Sequence, residues 1–156
     1  MADAIAIRDY RLSDLDAVIA IYQAAIRAMP ADIYKPQQIE AWSHVDREEW
    51  SRARAAVPTW VAEADGAPAG FATLDAKGEI EWLFVRPDNQ RKGVAAALLA
   101  HVEAVARQRW LERVFVQVAV TARPFFEKHG FREMKAVFIE REGQPLASYG
   151  MEKWLG

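Results

Sequence analysis

A short glycine-containing turn carries the strongest chemical signal in this chain. The turn, Gln90-Arg91-Lys92-Gly93-Val94-Ala95, joins an extended segment at 79–85 to a segment with helical spacing that begins at residue 94. Glycine lets a backbone approach a ligand closely, and the first amides of a helix have no acceptor within that helix. Because the helix dipole adds positive potential there, the turn predicts a site for an anion such as a phosphate. Arg91 and Lys92 either extend that site or are solvated surface side chains.

Two carboxylates on the strand before the turn are candidates for proton transfer. Glu79 and Glu81 are two residues apart, so they lie on the same face of an extended segment. A partly buried carboxylate can have a raised pKa and accept a proton directly or through water. Each could equally be a solvated strand residue, and Glu81 is the stronger candidate because it is nearer the end of the strand. The three histidines, His44, His101 and His129, are scattered, and no metal site is predicted.

The elements that position these residues follow from the periodicity. From Ile80 to Val85, one face of the segment is wholly apolar and the other is mostly apolar, which is typical of a strand with both faces partly covered. Pro87 ends this strand. From Gly93 onward the spacing becomes helical, with the apolar stripe Val94, Leu98, Val102 and Val105. The site is therefore predicted at a junction between a strand and a helix, with the glycine between them.

The rest of the chain predicts a mixed α/β (α+β) fold. The other predicted strands span residues 5–8, 59–64, 67–74, 113–120, 134–141 and 146–154. The other predicted helices span about 13–29 with Ser13 as cap, 36–42, 46–55 with Asp46 as cap, and about 121–129 with Thr121 as cap. Gly70 is predicted to mark a bulge or a point of close approach. We expect a mostly antiparallel sheet of about seven strands, flanked by helices, with a central parallel pair that splays apart beyond Leu83.

Composition limits the classes of protein to consider. The chain has 156 residues, of which 52% are hydrophobic and 27% charged, values typical of one globular domain spanning residues 1–156. A net charge of −2 argues against a non-specific nucleic-acid binder. The absence of cysteine excludes a disulfide framework, a thiolate metal site and a cysteine nucleophile. With no signal-peptide core and no apolar run of membrane-spanning length, a cytoplasmic protein is expected.

Two stretches resemble motifs of a known superfamily. Gln90-x-x-Gly93-x-Ala95, following Val85-Arg86-Pro87, resembles motif A of the GCN5-related N-acetyltransferase (GNAT) superfamily. The segment Ala122-Arg-Pro-Phe-Phe-Glu-Lys-His-Gly-Phe131 resembles motif B of the same superfamily. With the hairpins on either side, the resemblance covers nearly the whole chain. The run Tyr34-x-Pro36-x-Gln38-Ile39-x-x-Trp42 resembles one bacterial branch of mostly uncharacterised members.

The resemblance implies a cofactor and roles for particular residues. It implies that acetyl-coenzyme A is the acetyl donor, with its pyrophosphate on the turn, and that no metal takes part. It implies cofactor contacts from Leu83, Phe84, Val85, Gln90, Arg91, Lys92, Gly93, Val94, Ala95 and Phe126. The amide of Phe84 or Val85 would face the thioester carbonyl, and Glu81 or Glu79 would be the base. Many members carry a tyrosine that protonates the departing thiolate where this chain has Phe126, so Tyr149 is the substitute candidate.

The acceptor side is less determined. Residues 30–57 contain many large apolar side chains for a connecting segment, and these either pack the segment onto the sheet or line a pocket. Under the pocket hypothesis, Tyr34 and Trp42 are the candidate substrate-binding residues. The partner would be a small-molecule or protein amine, with no nucleic acid or membrane involved, and a homodimer is left open.

Two classes of function fit these observations. The first is an N-acetyltransferase that moves an acetyl group from acetyl-coenzyme A to a primary amine by direct attack in a ternary complex. The second is a non-catalytic sensor or interaction module that binds acyl-coenzyme A on the same fold. The cofactor motif fits both classes equally. A usable base beside an open acceptor pocket would separate them.

Overall fold

A computed structural model describes residues 4–141 and 144–156, with side chains described for residues 4–134 and 150–156. Its α-helices are α1 (Leu15–Arg27), α2 (Pro36–Ser43), α3 (Arg47–Ala56), α4 (Val94–Gln108) and α5 (Arg123–Lys128). Its strands are β1 (Ile5–Asp9), β2 (Thr59–Ala64), β3 (Ala67–Thr73), β4 (Glu79–Ile80), β5 (Leu83–Val85), β6 (Arg113–Ala119), β7 (Arg132–Arg141) and β8 (Gln144–Trp154). Short 3₁₀ turns occupy Leu12–Asp14, Pro87–Asn89 and Val120–Ala122.

The strands form two four-stranded sheets that diverge at one point in the chain. The first sheet has the order β1-β2-β3-β5 and is antiparallel throughout. The second has the order β4-β6-β8-β7, with β4 and β6 parallel and the other pairs antiparallel. This arrangement confirms the predicted mixed, mostly antiparallel fold with a parallel pair. The strand predicted over 79–85 is divided at Glu81 and Trp82, so that β4 joins one sheet and β5 the other.

Helix α4 packs against both sides of this divergence. Its apolar face is buried in the larger core, with Val94, Leu98 and Val102 each at most 1% exposed. Gly70 has no side chain, so β3 can lie close to both α4 and β5 at this point. A Cβ there would lie 2.8 Å from the Phe84 carbonyl oxygen and 3.1 Å from Val94 Cγ1. The predicted close approach at Gly70 is confirmed, and a register shift lies beside it between Ala62 and Glu63.

A second core joins α1 and the 30–57 segment to the first sheet. Tyr22 lies at its centre and donates a hydrogen bond of 2.6 Å from its hydroxyl to the Trp42 carbonyl. Its ring contacts those of Trp50, Trp82 and Phe84, with centroid distances of 5.0, 5.2 and 5.0 Å. Aromatic pairs at such distances stabilise a core beyond the area that they bury. This cluster holds α2 and α3 next to the strand break.

Two of the three predicted helix caps were wrong. The Ser13 cap is replaced by a 3₁₀ turn, because the buried Asp14 carboxylate accepts the Arg11 backbone amide and two hydrogen bonds from Arg8, each 2.8 Å long. A paired, charge-assisted site of this kind outweighs a hydroxyl cap. Thr121 does not cap α5, since it lies within a 3₁₀ turn and the helix begins at Arg123. The Asp46 cap is confirmed by a 3.1 Å hydrogen bond from the Glu49 amide.

Candidate active site

The turn before α4 leaves the start of that helix open. Gly93 is the N-cap residue, with a left-handed φ of 88°, and Arg91 also has a positive φ of 64°. The first hydrogen bond of the helix runs from the Ala97 amide to the Gly93 carbonyl, 3.0 Å away. Glycine has no side chain with which to cap the amides that precede Ala97, so the dipole and these donors face outward. This geometry suits an anion such as a pyrophosphate.

Gly93 is needed here for its backbone conformation more than for lack of space within the protein. A Cβ placed on Gly93 would meet only Ile5 Cδ1, at 3.8 Å, which is ordinary van der Waals contact. A φ of 88° is costly for residues that carry a side chain. The space above the turn therefore stays open for a ligand, while glycine keeps the amides aimed into it.

Strand β5 presents one backbone edge to the gap between the two sheets. The Thr73 amide donates to the Trp82 carbonyl (3.0 Å), and the Arg86 amide donates to the Ala69 carbonyl (2.8 Å), so residues 82 and 86 face β3. Backbone groups alternate along a strand, which turns those of Leu83 and Val85 toward the gap. Of the two amides predicted to face a thioester, this alternation favours Val85 over Phe84.

The separation of the parallel strands begins earlier than expected. Sequence reasoning predicted that the strands diverge beyond Leu83, but β4 pairs with β6 only at Glu79 and Ile80, so this placement was wrong. The bond between Trp82 and β3 explains the difference, because it moves the chain onto the other sheet immediately after Ile80. Glu81 consequently lies at the break itself, where its side chain is exposed.

The two candidate bases have different surroundings. Glu79 is half-buried, and burial, followed by the negative charges of Asp75 and Glu81, raises its pKa, while Lys77 acts in the opposite direction. Glu81 is exposed and lines a cavity of about 640 Å³ beside the strand break. Glu79 is not among the residues that line this cavity. Glu81 is therefore the carboxylate placed to meet a molecule bound there.

The cavity is bounded by the strand break on one side and by the α2–α3 region on the other. His44, Asp46 and Glu49 contribute to its wall and are exposed, and Trp50 and Trp82 supply aromatic surface. We call this space the acceptor cavity. Neither Tyr34 nor Trp42, the two predicted acceptor residues, lines it. They are 3% and 2% exposed, with ring centroids 6.2 Å apart, and they pack in the core behind the cavity.

Sequence reasoning missed Arg54, which also lines the acceptor cavity. Arg54 is only 4% exposed, and its guanidinium carbon lies 5.4 Å from the centroid of the Trp50 ring. Its Nε and Nη1 atoms are buried and have no hydrogen-bond partner. Burial lowers its pKa, opposed by the charge of Glu81 and then by Tyr10. A signal for this residue was present, because Trp50 and Arg54 are four residues apart and share one face of α3.

The motif B region lies on the other side of the gap. Phe126 is 4% exposed and packs in the core, with ring centroids 5.1 Å from Phe125 and 5.2 Å from Phe131. The backbone of Tyr149 pairs with Val118, but its side chain lies outside those that the structure describes. Phe126 therefore offers no hydroxyl that could serve as a general acid.

The other two histidines, His101 and His129, each contact neighbouring groups of the protein. The His101 ring lies edge-on to Trp60 at 5.2 Å, and His129 Nδ1 lies 2.9 Å from the Phe125 carbonyl oxygen. Within residues 4–141 and 144–156, no group of three or more His, Asp or Glu side chains is placed to hold a metal ion. Over the same described residues, no helix is both long and apolar enough to cross a bilayer.

Comparison with known proteins places this chain in a family. Residues 30–153 match the model of the acetyltransferase (GNAT) domain. The chain is 33% identical over 147 residues to the uncharacterised N-acetyltransferase YafP of Escherichia coli K12, covering 94% of each protein. A solved GCN5-related N-acetyltransferase from Rhodopseudomonas palustris has a TM-score of 0.94 at 29% identity, over 99% of this chain and 98% of that one.

A more distant structure shares the fold and carries a ligand. PaiA N-acetyltransferase from Thermoplasma acidophilum, solved in complex with coenzyme A, has a TM-score of 0.77 at 21% identity, over 97% of this chain and 99% of that one. The family match spans the strand break, the α4 turn and the acceptor cavity. The chain belongs to the GNAT family of acetyltransferases.

Proposed function

We propose that this protein, as a single domain, transfers an acetyl group from acetyl-coenzyme A to a primary amine by direct attack within a ternary complex. The observation that carries the proposal is the strand break at Glu81 and Trp82. There the acceptor cavity is lined by Glu81 and Trp82, the two residues that precede β5, and the absence of a side chain at Gly70 lets Val94 of α4 lie close to β5. One place thus offers donors for an anion, a backbone edge for a peptide-like chain and a carboxylate.

The donor side fits acetyl-coenzyme A through backbone groups. Amides from Arg91 to Ala95 would bind the pyrophosphate, with the α4 dipole adding about 0.3–1 kcal/mol. The outward backbone groups of Leu83 and Val85 would pair with the amides of the pantetheine arm as an added strand would. Phe126 would contribute core packing beneath the site, since its ring is buried. PaiA, with coenzyme A bound, shows that this fold can hold the ligand.

The chemistry assigned to this chain's own residues is limited to orientation and proton transfer. The bound thioester supplies an activated carbonyl carbon for the amine to attack. The Val85 amide would donate a hydrogen bond to the carbonyl oxygen as negative charge develops on it. Glu81 accepts a proton from the acceptor ammonium, because only the free amine can attack. As the carbon–nitrogen bond forms, the carbon–sulfur bond breaks and coenzyme A leaves as the thiolate, which takes up the proton that the attacking nitrogen loses. A thiol with a pKa of about 8.5 gives a thiolate that is a fair leaving group without a protein acid at position 126.

The rival class, a non-catalytic acyl-coenzyme A binding module, needs the donor side alone. The acceptor cavity favours the enzyme over that class. A cavity of about 640 Å³ with an exposed carboxylate at the strand break supports a site for an amine and a candidate base, neither of which a binding module would need. A small-molecule amine suits a space of this size, which lies within the range of ligand pockets.

The test is a screen of primary amines in the presence of acetyl-coenzyme A. Turnover is measured as the release of coenzyme A, and binding is measured as a shift in the melting temperature. We expect acetyl-coenzyme A alone to raise the melting temperature and a subset of small amines to accelerate coenzyme A release above hydrolysis. Tight acetyl-coenzyme A binding with no acceleration by any amine would contradict the enzyme proposal and support the binding module. Failure of acetyl-coenzyme A to bind would contradict both.

A further inference from the structure

Arg54 is a buried charge that the protein itself does not satisfy. It is 4% exposed, and two of its three guanidinium nitrogens, Nε and Nη1, have no hydrogen-bond partner. In the described part of the chain, no carboxylate forms an ion pair with it; Glu81 acts on it only at longer range. Burying a charge without a partner lowers the stability of the fold, and a buried donor without a hydrogen bond lowers it further. The acetyl transfer derived above gives Arg54 no role.

The position of Arg54 relates it to the acceptor. Its side chain contributes to the wall of the acceptor cavity, which Glu81 also lines. The Arg54 guanidinium carbon lies 5.4 Å from the centroid of the Trp50 ring, a cation–π contact that helps to hold the buried side chain in place. A held guanidinium presents its donors as a planar fork, which matches the two oxygens of a carboxylate.

The other charges of the cavity are arranged differently. Asp46, Glu49 and Glu81 line the same space but are exposed, so water screens them. The cavity thus combines an acidic, solvated rim with a buried cation. An acceptor with an ammonium group at the rim and an anionic group against Arg54 would satisfy both. A carboxylate fits better than a phosphate, because a doubly charged group would be repelled more strongly by the three carboxylates of the rim.

We propose that the acceptor of this enzyme is an amine that also carries a carboxylate, an amino acid or a close relative, and that Arg54 binds the carboxylate while Glu81 faces the amine. The inference rests on the proposed acetyl transfer and names its substrate class. Arg54 then acts through binding, and Glu81 through proton transfer.

A second cavity offers an alternative location for an anion bound to Arg54. Arg54 also borders a second space, of about 380 Å³, lined in part by Tyr10, whose hydroxyl is likewise buried without a hydrogen-bond partner. An anion held there would contact Arg54 and Tyr10 in a space that Glu81 does not line. Tyr10→Phe therefore distinguishes the two locations.

The experiment compares matched pairs of primary amines, each pair consisting of an amino acid and its carboxamide. Values of kcat/KM are corrected for the fraction of free amine at the assay pH. We expect the wild type to prefer the carboxylate by at least about 30-fold, a scale typical of truncating one partner of a buried charge pair. Arg54→Met should bring the ratio near one, and Tyr10→Phe should leave it unchanged. Arg52→Met, at an exposed position on the same helix, is the matched control.

Folding of the variant is checked by its melting temperature. Arg54→Met should melt no lower than the wild type, because it replaces an unpaired buried charge with an apolar side chain of similar length. Its affinity for acetyl-coenzyme A should equal that of the wild type. Equal use of carboxylate and carboxamide by the wild type, or a preference that survives in Arg54→Met, would overturn the proposal. Loss of the preference in Tyr10→Phe as well would place the anion in the second cavity and overturn the assignment to the acceptor.

A binding measurement distinguishes failure of the proposed acetyl transfer from failure of the proposed carboxylate site. If no amine is turned over, N-acetylated amino acids, the products of the proposed reaction, are titrated calorimetrically against wild type and Arg54→Met. Binding that is lost in Arg54→Met would uphold the carboxylate site while the enzyme proposal fails. No binding to the wild type would overturn the carboxylate site as well. Turnover of amines that lack a carboxylate, without preference, would instead uphold the enzyme and overturn only the substrate class.

Discussion

In the proposed site, the groups that would face a ligand on the α4 side of the strand break are backbone amides, whereas on the α3 side they are side chains. The donor side depends on Gly93 in a left-handed conformation and on the outward edge of Leu83 and Val85. The acceptor side depends on Glu81 and Arg54, which are 27 positions apart in sequence and meet at one cavity. One side of the proposed site thus depends on backbone conformation, and the other depends on the identity of two side chains.

This difference predicts how the two sides respond to substitution. A backbone site is sensitive to changes in φ and ψ and tolerant of changes in side-chain chemistry. A side-chain site shows the opposite response, because its charges and hydrogen bonds disappear with the residue. The following predictions test this contrast, beginning with the largest expected effect.

Trp42→Ala separates support of the acceptor cavity from contact with the substrate. The Trp42 side chain is 2% exposed and packs in the second core, so truncation should lower the free energy of unfolding by about 3–5 kcal/mol. In the folded fraction, acceptor KM should stay the same. Trp110→Ala is the matched control, since Trp110 is 90% exposed and its loss should change stability by less than about 0.5 kcal/mol. A raised KM with unchanged stability would restore Trp42 as a substrate-binding residue.

Glu81→Gln should lower kcat/KM about 100-fold, the usual scale for a general base, and leave the Kd of acetyl-coenzyme A unchanged. Glu79→Gln should have a smaller effect, because Glu79 does not line the acceptor cavity. A base works only when ionised, so activity falls as pH drops through its pKa. Burial raises the pKa of Glu79, so any contribution from Glu79 places the acid limb at a higher pH, and Glu79→Gln would move it lower. If neither variant changes the profile, water takes the proton.

Gly93→Val tests the backbone side. Valine strongly disfavours a φ of 88°, so the α4 amides should shift and the affinity for acetyl-coenzyme A should fall at least tenfold, roughly 1.4 kcal/mol. Gly66→Val is a matched control, because Gly66 has a φ of 82° and no atom within 4 Å of an added Cβ. It introduces the same strain away from the site. Calorimetry showing undiminished affinity in a folded Gly93→Val would remove the cofactor assignment.

Tyr149→Phe should have the smallest effect. If no protein acid assists departure of the thiolate, the alkaline limb of the pH–rate profile stays where it is in this variant. Phe126→Tyr should not add an acid either, since position 126 is buried between Phe125 and Phe131 and the new hydroxyl would be confined to the core. An alkaline fall that disappears in Tyr149→Phe would identify Tyr149 as the general acid.

The contrast also explains how much of the site could be predicted from the sequence. The glycine turn before α4 could be predicted because its signal is local: a strand, a glycine and a helical period follow one another within about twenty residues. The nearness of Glu81 to this turn in sequence was visible for the same reason, and its role as a base stays a prediction. The division of that strand into β4 and β5 was missed, because it depends on a hydrogen bond between Trp82 and β3 that no local pattern encodes.

The acceptor side could be predicted only in part. The large apolar residues of the 30–57 segment indicated packing or a pocket, and both occur, but on different residues. Tyr34 and Trp42 face the core, while Trp50 lines the cavity. Which face of α3 meets the strand break depends on how the helix docks on the aromatic cluster, and that docking brings Arg54 into the interior. A buried arginine runs against the usual distribution of charge, so composition gave no reason to expect it.

The central claim is that both sides serve one reaction, with donor and acceptor bound together before the acetyl group moves. Initial rates measured while acetyl-coenzyme A and the best amine of the screen are both varied test it most directly. The account predicts intersecting double-reciprocal lines, as a ternary complex requires. The chain has no cysteine to carry an acetyl group between two half-reactions. Parallel lines, together with acetylated enzyme detected by mass spectrometry in the absence of amine, would contradict direct transfer and show a covalent intermediate.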